Sequence, residues 1–232
     1  MTTARTSRLV SLDIIRGAVM VLMAIDHVRV FAGVPAGGPT PGVFFTRWVT
    51  HFCAPIFVFL AGTSAYLYSQ KHPGRGALAR FLALRGAWLV FLELTLLRLA
   101  WTFNVDFAHY LLAGVIWVIG WCMILLAALI WLPTVVVGLF GVVVIAGHNI
   151  MDKIGDQIAP KLLEGDGAWF WQILYFGGGV QLGEGGPILA VLYTIVPWVG
   201  VIAAGYAFGT VMVMAPARRH RLSLQIGTVA VA

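Results

Sequence analysis

Charge is what this chain has least of: Asp, Glu, Lys and Arg make up 10% of its 232 residues, against 60% hydrophobic residues. An average soluble domain carries roughly a quarter charged residues, so the scarcity excludes an ordinary soluble protein and points to an integral membrane protein. Cysteine is nearly absent. Cys53 and Cys122 both lie inside apolar runs, without CxxC or Cys/His spacing, which excludes a disulfide framework and leaves two buried free thiols as the expectation. His27, His51 and His148 raise the question of a metal, but no HExxH or Cys/His pair accompanies them, so none is expected. Acidic residues are outnumbered 9 to 15 by basic ones, for a formal net charge of +6. Those basic residues are scattered between apolar runs rather than interleaved with aromatics, so membrane topology explains them and nucleic acid is not an expected partner. No cleavable signal peptide is expected, because the first apolar run contains Asp26 and His27 and no small-residue cleavage site follows it. Gly177–Pro187 is rich in glycine but has no Lys-Ser/Thr ending and so is no phosphate loop; it reads as a flexible external connection.

Long apolar runs are what the chain does have. With about 20 residues per crossing, six spans are expected at 11–33, 45–69, 86–104, 110–132, 134–150 and 188–214, with the start of a seventh at Leu222. The fold class is therefore all-α, a polytopic transmembrane helix bundle forming a single domain over 1–232. Only 11 residues remain from Leu222, so the chain is expected to be C-terminally incomplete. Positive-inside counting puts Arg5, Arg8, Lys71, Arg75, Arg80, Arg85, Arg218, Arg219 and Arg221 on one side, making the N-terminus cytoplasmic. The other side receives the link 34–44, the turn around Asp106 and His109, and the segment 151–187. There Asp152, Asp156, Glu164, Asp166 and Glu184 outnumber Lys153 and Lys161, and Trp169, Phe170, Trp171, Tyr175 and Phe176 suggest an aromatic stretch at the outer interface.

The first span is unusual in carrying Asp13, Arg16, Asp26, His27 and Arg29. A charge near the centre of a spanning helix costs about 2.5–3.5 kcal/mol on the insertion scale, so such residues are functional candidates by default. At helical periodicity Asp13, Arg16, Met20, Met23 and His27 share one stripe, and Arg16 and His27 lie about 16 Å apart along the axis. Such a stripe suits a ligand reaching in from the cytoplasmic mouth. A purely structural reading stands beside it, with an Asp13–Arg16 pair at one end and an Asp26–Arg29 pair at the other. In the second span Pro55 cannot donate to the carbonyl of His51 four residues back, freeing a polar group beside an imidazole near the level of Asp26 and His27. Two histidines and an aspartate at neighbouring helix ends supply an imidazole base with a carboxylate to orient it. In the third span Glu93 and Arg98 are too far around an α-helix to pair with each other, so interhelical ion pairs are expected of both. His148 and Asn149 close the fifth span on the outer side.

The residues Arg8-x-x-Ser11-Leu12-Asp13-x-x-Arg16-Gly17, Met23-x-x-Asp26-His27 and Phe52-x-x-Pro55-x-Phe57-Val58-Phe59-Leu60-x-Gly62-Thr63-Ser64 resemble the heparan-alpha-glucosaminide N-acetyltransferase catalytic-domain family. Tyr193-x-x-x-Pro197-Trp198-x-Gly200 and Gly205-Tyr206-x-x-Gly209 extend the resemblance over most of the chain. It implies a multi-pass acyltransferase of a bacterial inner membrane, moving an acetyl or acyl group from cytosolic acetyl-CoA, as co-substrate, to an amine or hydroxyl on the outer side. The acceptor is a glycan or amino sugar by the same resemblance, and a second copy of the chain is a candidate partner. The lysosomal member has its catalytic histidine between the first two helices, paired with an asparagine late in the first. Here Asp26 takes the asparagine-like position and the link 34–44 has no histidine, leaving His27 or His51 as the substitute. Asp13, Arg16 and Arg85 are then assigned to the acyl-CoA, and Arg47, His148 and Asn149 to the acceptor. The alternative is a small-molecule or proton-coupled transporter using the same intramembrane charges, against which the lack of an evident inverted repeat counts.

Overall fold

Stretches of Leu, Val, Ala and Phe without strand-like alternation make most of the chain helical. The computed structural model describes residues 9–34 and 40–231. The chain divides into two compact units, Met1–Leu60 and Ala61–Ala232. Arg5 and Arg8 of the topology count, and positions 35–39 of the first link, lie outside the described residues, as do the side chains of Asp152, Lys153 and Asp156.

The first unit holds α1 (Val10–Phe31), α2 (Pro41–Thr50) and the beginning of α3 (Cys53–Lys71). Asp13 in the first turn of α1 and Arg29 in its last complement the helix dipole. Pro41 opens α2, where its missing N–H costs nothing, and the Thr40 hydroxyl accepts the Val43 N–H at 3.4 Å. The chain breaks at His51–Phe52, so Pro55 falls in the first turn of α3. First-turn N–H groups have no intrahelical acceptor anyway. Pro55 therefore sits at a helix start rather than in mid-span, and Pro197 likewise lies in the first turn of α10 (Ile195–Met212).

In the second unit α4 (Arg75–Leu92) runs through a π-helical turn, Glu93–Leu97, into α5 (Arg98–Thr102). Strand β1 (Tyr110–Ala113) then leads into α6 (Val115–Leu129), which packs back along α4, and α7 (Thr134–Gly147) packs along α10. Between α7 and α10 come α8 (Ile150–Leu163), α9 (Ala168–Trp171), a second π-helical turn and the strands β2 (Gly178–Gln181) and β3 (Ile188–Val191). The last helix is α11 (Pro216–Val231). Close helix approach depends on glycine. A Cβ on Gly86 would sit 2.5 Å from the Gly120 carbonyl, and one on Gly120 would sit 2.6 Å from the Gly86 carbonyl, so each glycine admits the other's backbone.

One expectation is corrected and another is met in part. The chain is mostly helical but not all-α: β1, β3 and β2 form a three-stranded sheet in that order, with β1 parallel and β2 antiparallel to β3. Its apolar segments Tyr110–Ala113 and Ile188–Val191 had been read as the first turns of the fourth and sixth spans. Four apolar residues carry no periodicity that distinguishes strand from helix. The glycine-rich connection becomes the β2–β3 hairpin, with Gly183 and Gly185 at φ +75 and +73 in its turn. The expected spans are met in part. Among the described residues, two helical stretches are long and apolar enough to cross a membrane, Pro41–Lys71 and Ile195–Met212. Helices α6 and α7, with 15 and 14 residues, are apolar but shorter. At 1.5 Å per residue they extend about 21–23 Å, against roughly 30 Å of hydrocarbon.

Candidate functional site

Within the first unit, Asp26 is the centre of a polar cluster. Its Oδ1 accepts from Arg29 Nη2 at 3.1 Å and from the Thr50 hydroxyl at 3.0 Å, and Arg47 Nη1 stands 3.7 Å away. Arg29 also donates to the Val34 carbonyl at 2.8 Å and is largely buried rather than reaching out to the interface. One carboxylate between two guanidiniums ties the end of α1 to α2. His51 donates its Nδ1 proton to the Arg47 carbonyl at 2.7 Å, since a carbonyl can only accept, and the neutral ring then keeps Nε2 as a base. His27 is half-buried on α1, one residue from Asp26. The structure thus brings Asp26 together with Arg47, Arg29 and Thr50, and sets His51 on the Arg47 backbone. Sequence reasoning had singled out Asp26, Arg47 and His51, but gave Thr50 no part.

Toward the other end of α1, Asp13 and Arg16 stand 3.7 Å apart, both part-exposed. The two ion pairs of the structural reading, Asp13–Arg16 and Asp26–Arg29, therefore both form. Met20, on the proposed ligand stripe, is exposed, whereas Leu12 and Val19 are the buried positions of the helix. Leu12, Val19 and Asp26 succeed one another at intervals of seven, so Asp26 continues the packed face, and His27 beside it is half-buried like Asp26. Cys53 is buried with its thiol 3.7 Å from the Val19 carbonyl, and Cys122 is a second buried free thiol, as expected.

In the second unit, Arg85 lies 5.9 Å over the Phe81 ring. Phe81 stacks on Tyr68 at 4.1 Å, and Tyr68 meets His72 at 4.3 Å. This flat, partly exposed column carries a guanidinium at one end. His148 donates Nδ1–H to the Ile145 carbonyl at 2.6 Å, and its own carbonyl accepts the Tyr175 hydroxyl at 2.8 Å. Asn149 directly precedes α8. Trp169, Phe170 and Trp171 form successive edge-to-face pairs with Trp169 and Phe170 exposed, the character expected of an interfacial aromatic stretch.

Glu93 and Arg98 correct the expectation of ion pairs. Glu93, 2% exposed, accepts the backbone N–H groups of Ile116 and Trp117 at 3.0 and 3.2 Å, capping the start of α6 with a carboxylate. Gly114 makes room for it: a Cβ there would lie 2.5 Å from Glu93 Oε1. Arg98, fully buried, donates Nε–H to the Tyr110 carbonyl at 3.1 Å and its two other nitrogens to the carbonyls of Asn104 and Asp106, while Phe107 lies under the guanidinium at 4.5 Å. The π-helical turn between the two residues widens the helix where both are needed, a feature that recurs at functional positions. Beyond Arg98, Asp106 Oδ2 holds His109 Nδ1 at 2.7 Å, a pair the sequence reading noted only as an outer turn. The spacing Asp-x-x-His was its one sequence signal.

The family described as heparan-alpha-glucosaminide N-acetyltransferase, catalytic, matches this chain over residues 8–231. No curated protein and no solved structure matches it.

Proposed function

The chain belongs to the heparan-alpha-glucosaminide N-acetyltransferase catalytic family, and from that premise we propose that it is a membrane-bound acyltransferase taking an acetyl group from acetyl-CoA and passing it to an amine or hydroxyl, on a glycan or amino sugar. The match over 8–231 carries this reading. Six membrane crossings with a cytoplasmic N-terminus, in a bacterial inner membrane, belong to the proposal. So does the division of labour among residues: Asp13 with Arg16, and Arg85 in the second unit, on the donor; Arg47, His148 and Asn149 on the acceptor; His27 or His51 as base or acyl carrier.

Chemistry supports these roles. Coenzyme A carries phosphates and an adenine, which arginines and a flat aromatic column such as Arg85–Phe81–Tyr68 recognise well. Acyl transfer to an amine needs a group that takes a proton near neutral pH, and His51 keeps Nε2 for this when Nδ1 is bonded to a carbonyl. Asp26, bound to Arg29, Arg47 and Thr50, supports the site as a tie between helices rather than as an imidazole partner. The family match favours transfer over a transporter.

The test is labelled acetyl-CoA binding and acetyl transfer to an amine by the full chain in vesicles. Wild type is expected to bind and transfer. His27→Ala or His51→Ala should lower turnover by about 10²–10⁴-fold, the usual contribution of general acid–base catalysis, with donor binding kept. Folded Arg16→Ala should bind the donor more weakly than wild type. No binding and no transfer by wild type would overturn the reading; wild-type turnover in the His27/His51 double variant would place the chemistry elsewhere.

A further inference from the structure

The turn between α5 and β1 is short and is held by several hydrogen bonds. Asp106 uses both carboxylate oxygens: Oδ1 accepts the Ala108 N–H at 3.0 Å, shaping the turn, and Oδ2 holds His109 Nδ1 at 2.7 Å. The Asp106 N–H is itself bound by Asn104 Oδ1 at 2.8 Å, and the His109 carbonyl accepts Ile188 N–H at 2.9 Å from the neighbouring strand. Beneath them Arg98 spans the turn with bonds to the carbonyls of 104, 106 and 110, bracketing both members of the pair. Burying an arginine in an apolar chain is costly, and here its hydrogen bonds go to this one turn. An exposed Asp–His pair in an ordinary loop is loosely held; this one stands on a rigid base, the arrangement a reacting group requires.

The imidazole itself is presented outward. His109 is 81% exposed, with Nδ1 committed to the carboxylate and Nε2 left to meet a ligand. The hydrogen bond from His109 also holds the Asp106 carboxyl below its usual range, so the carboxylate stays charged at neutral pH. Along α4 and α5, Arg98 lies about 20 Å from Arg85, a separation an extended pantetheine arm is of a length to cover.

We propose that Asp106 and His109 form a catalytic dyad that activates the acceptor, with Arg98 as the positioning residue that holds their turn. This rests on the acyltransferase reading, and it gives the base role to His109 in place of His27 or His51. His109 Nε2 takes the proton of the acceptor nitrogen or oxygen while that atom's lone pair attacks the carbonyl carbon of the acyl thioester. The C–N or C–O bond forms, the C–S bond breaks, and sulfur leaves with the electron pair as a thiolate, to which the imidazolium returns the proton.

The experiment uses the full chain in detergent with acetyl-CoA and glucosamine as probes, and compares wild type, His109→Ala, His109→Gln and Asp106→Asn. Turnover, acetyl-CoA affinity, thermal midpoint and rescue by added imidazole are measured. His109→Ala and His109→Gln should lose about 10²–10⁴-fold in turnover, with donor affinity and midpoint unchanged, and imidazole should restore part of the His109→Ala activity. Asp106→Asn should lose less. Wild-type turnover in His109→Ala overturns the dyad alone, as does a loss accompanied by a lowered midpoint and no imidazole rescue. A wild type that neither binds acetyl-CoA nor transfers acetyl overturns the acyltransferase reading, and the dyad with it.

Discussion

At the scale of single residues, the buried charges of this chain are spent on backbone. Glu93 satisfies two N–H groups at the start of α6, and Arg98 satisfies three carbonyls around a turn. A buried backbone group left unpaired costs about 1–3 kcal/mol, which sets the size of the expected effects. Glu93→Ala should lower the thermal midpoint markedly, since the N–H groups of Ile116 and Trp117 lose their acceptor and no water replaces it. Glu93→Gln keeps one acceptor oxygen on the same stem and should be distinctly milder. Equal midpoints for the two variants in detergent would show that the acceptor oxygen does not hold the start of α6. The sequence made plain that both residues needed partners. It could not show which, because a backbone N–H or carbonyl exists at every position and carries no residue signature, whereas an opposite charge does. Asp26 and Arg29 were legible for the converse reason, being a turn apart on one helix.

At the scale of elements, long apolar periods were read correctly as helices and short ones were not. α1, α7 and α10 lie close to their expected spans and α4 begins at Arg75 rather than at 86, while Tyr110–Ala113 and Ile188–Val191, expected as helix ends, pair as strands. Non-local pairing made that choice: the register Tyr110 to Ile188 joins positions far apart in sequence, which no window along the chain can detect. The π-helical turn at Glu93–Leu97 escaped for a similar reason, since it answers to where Glu93 and Arg98 must reach. Helix contacts, by contrast, can be tested one glycine at a time. A Cβ on Gly62 would stand 2.0 Å from the Ile202 carbonyl oxygen and 2.7 Å from the Tyr206 nitrogen, both backbone atoms of α10 that cannot turn aside. Gly62→Ala should therefore destabilise by about 1–3 kcal/mol or more, the cost of overpacking. Gly17→Ala meets nothing within 4 Å, and should be neutral or stabilising by about 0.5–1 kcal/mol from helix propensity. Thermal midpoints of the two variants against wild type decide it, and a Gly62→Ala protein as stable as wild type would mean that α3 and α10 are not held at this distance.

At the scale of the whole molecule, the distribution of charge in the second unit implies an orientation. Lys71, Arg75 and Arg80 gather around the α3–α4 turn, whereas Asp106, Glu164, Asp166 and Glu184 occur in segments on the far side of the expected spans. Helix α4 with its continuation to Thr102 separates Arg75 from the Asp106 turn by about 40 Å at 1.5 Å per residue, enough to put them on opposite faces of a bilayer. Basic residues stay on the cytoplasmic side during insertion. A cysteine introduced at Gly74 should therefore react with a membrane-impermeant thiol reagent only from the cytoplasmic face, and one at Asp166 only from outside. Cys53 and Cys122 are buried, so the background should be low. Labelling of intact cells against inverted vesicles reads the result directly. The reverse pattern would turn the Asp106–His109 turn toward the cytosol, on the side of the acyl donor, and an acceptor presented from outside would then have no histidine of that turn to meet.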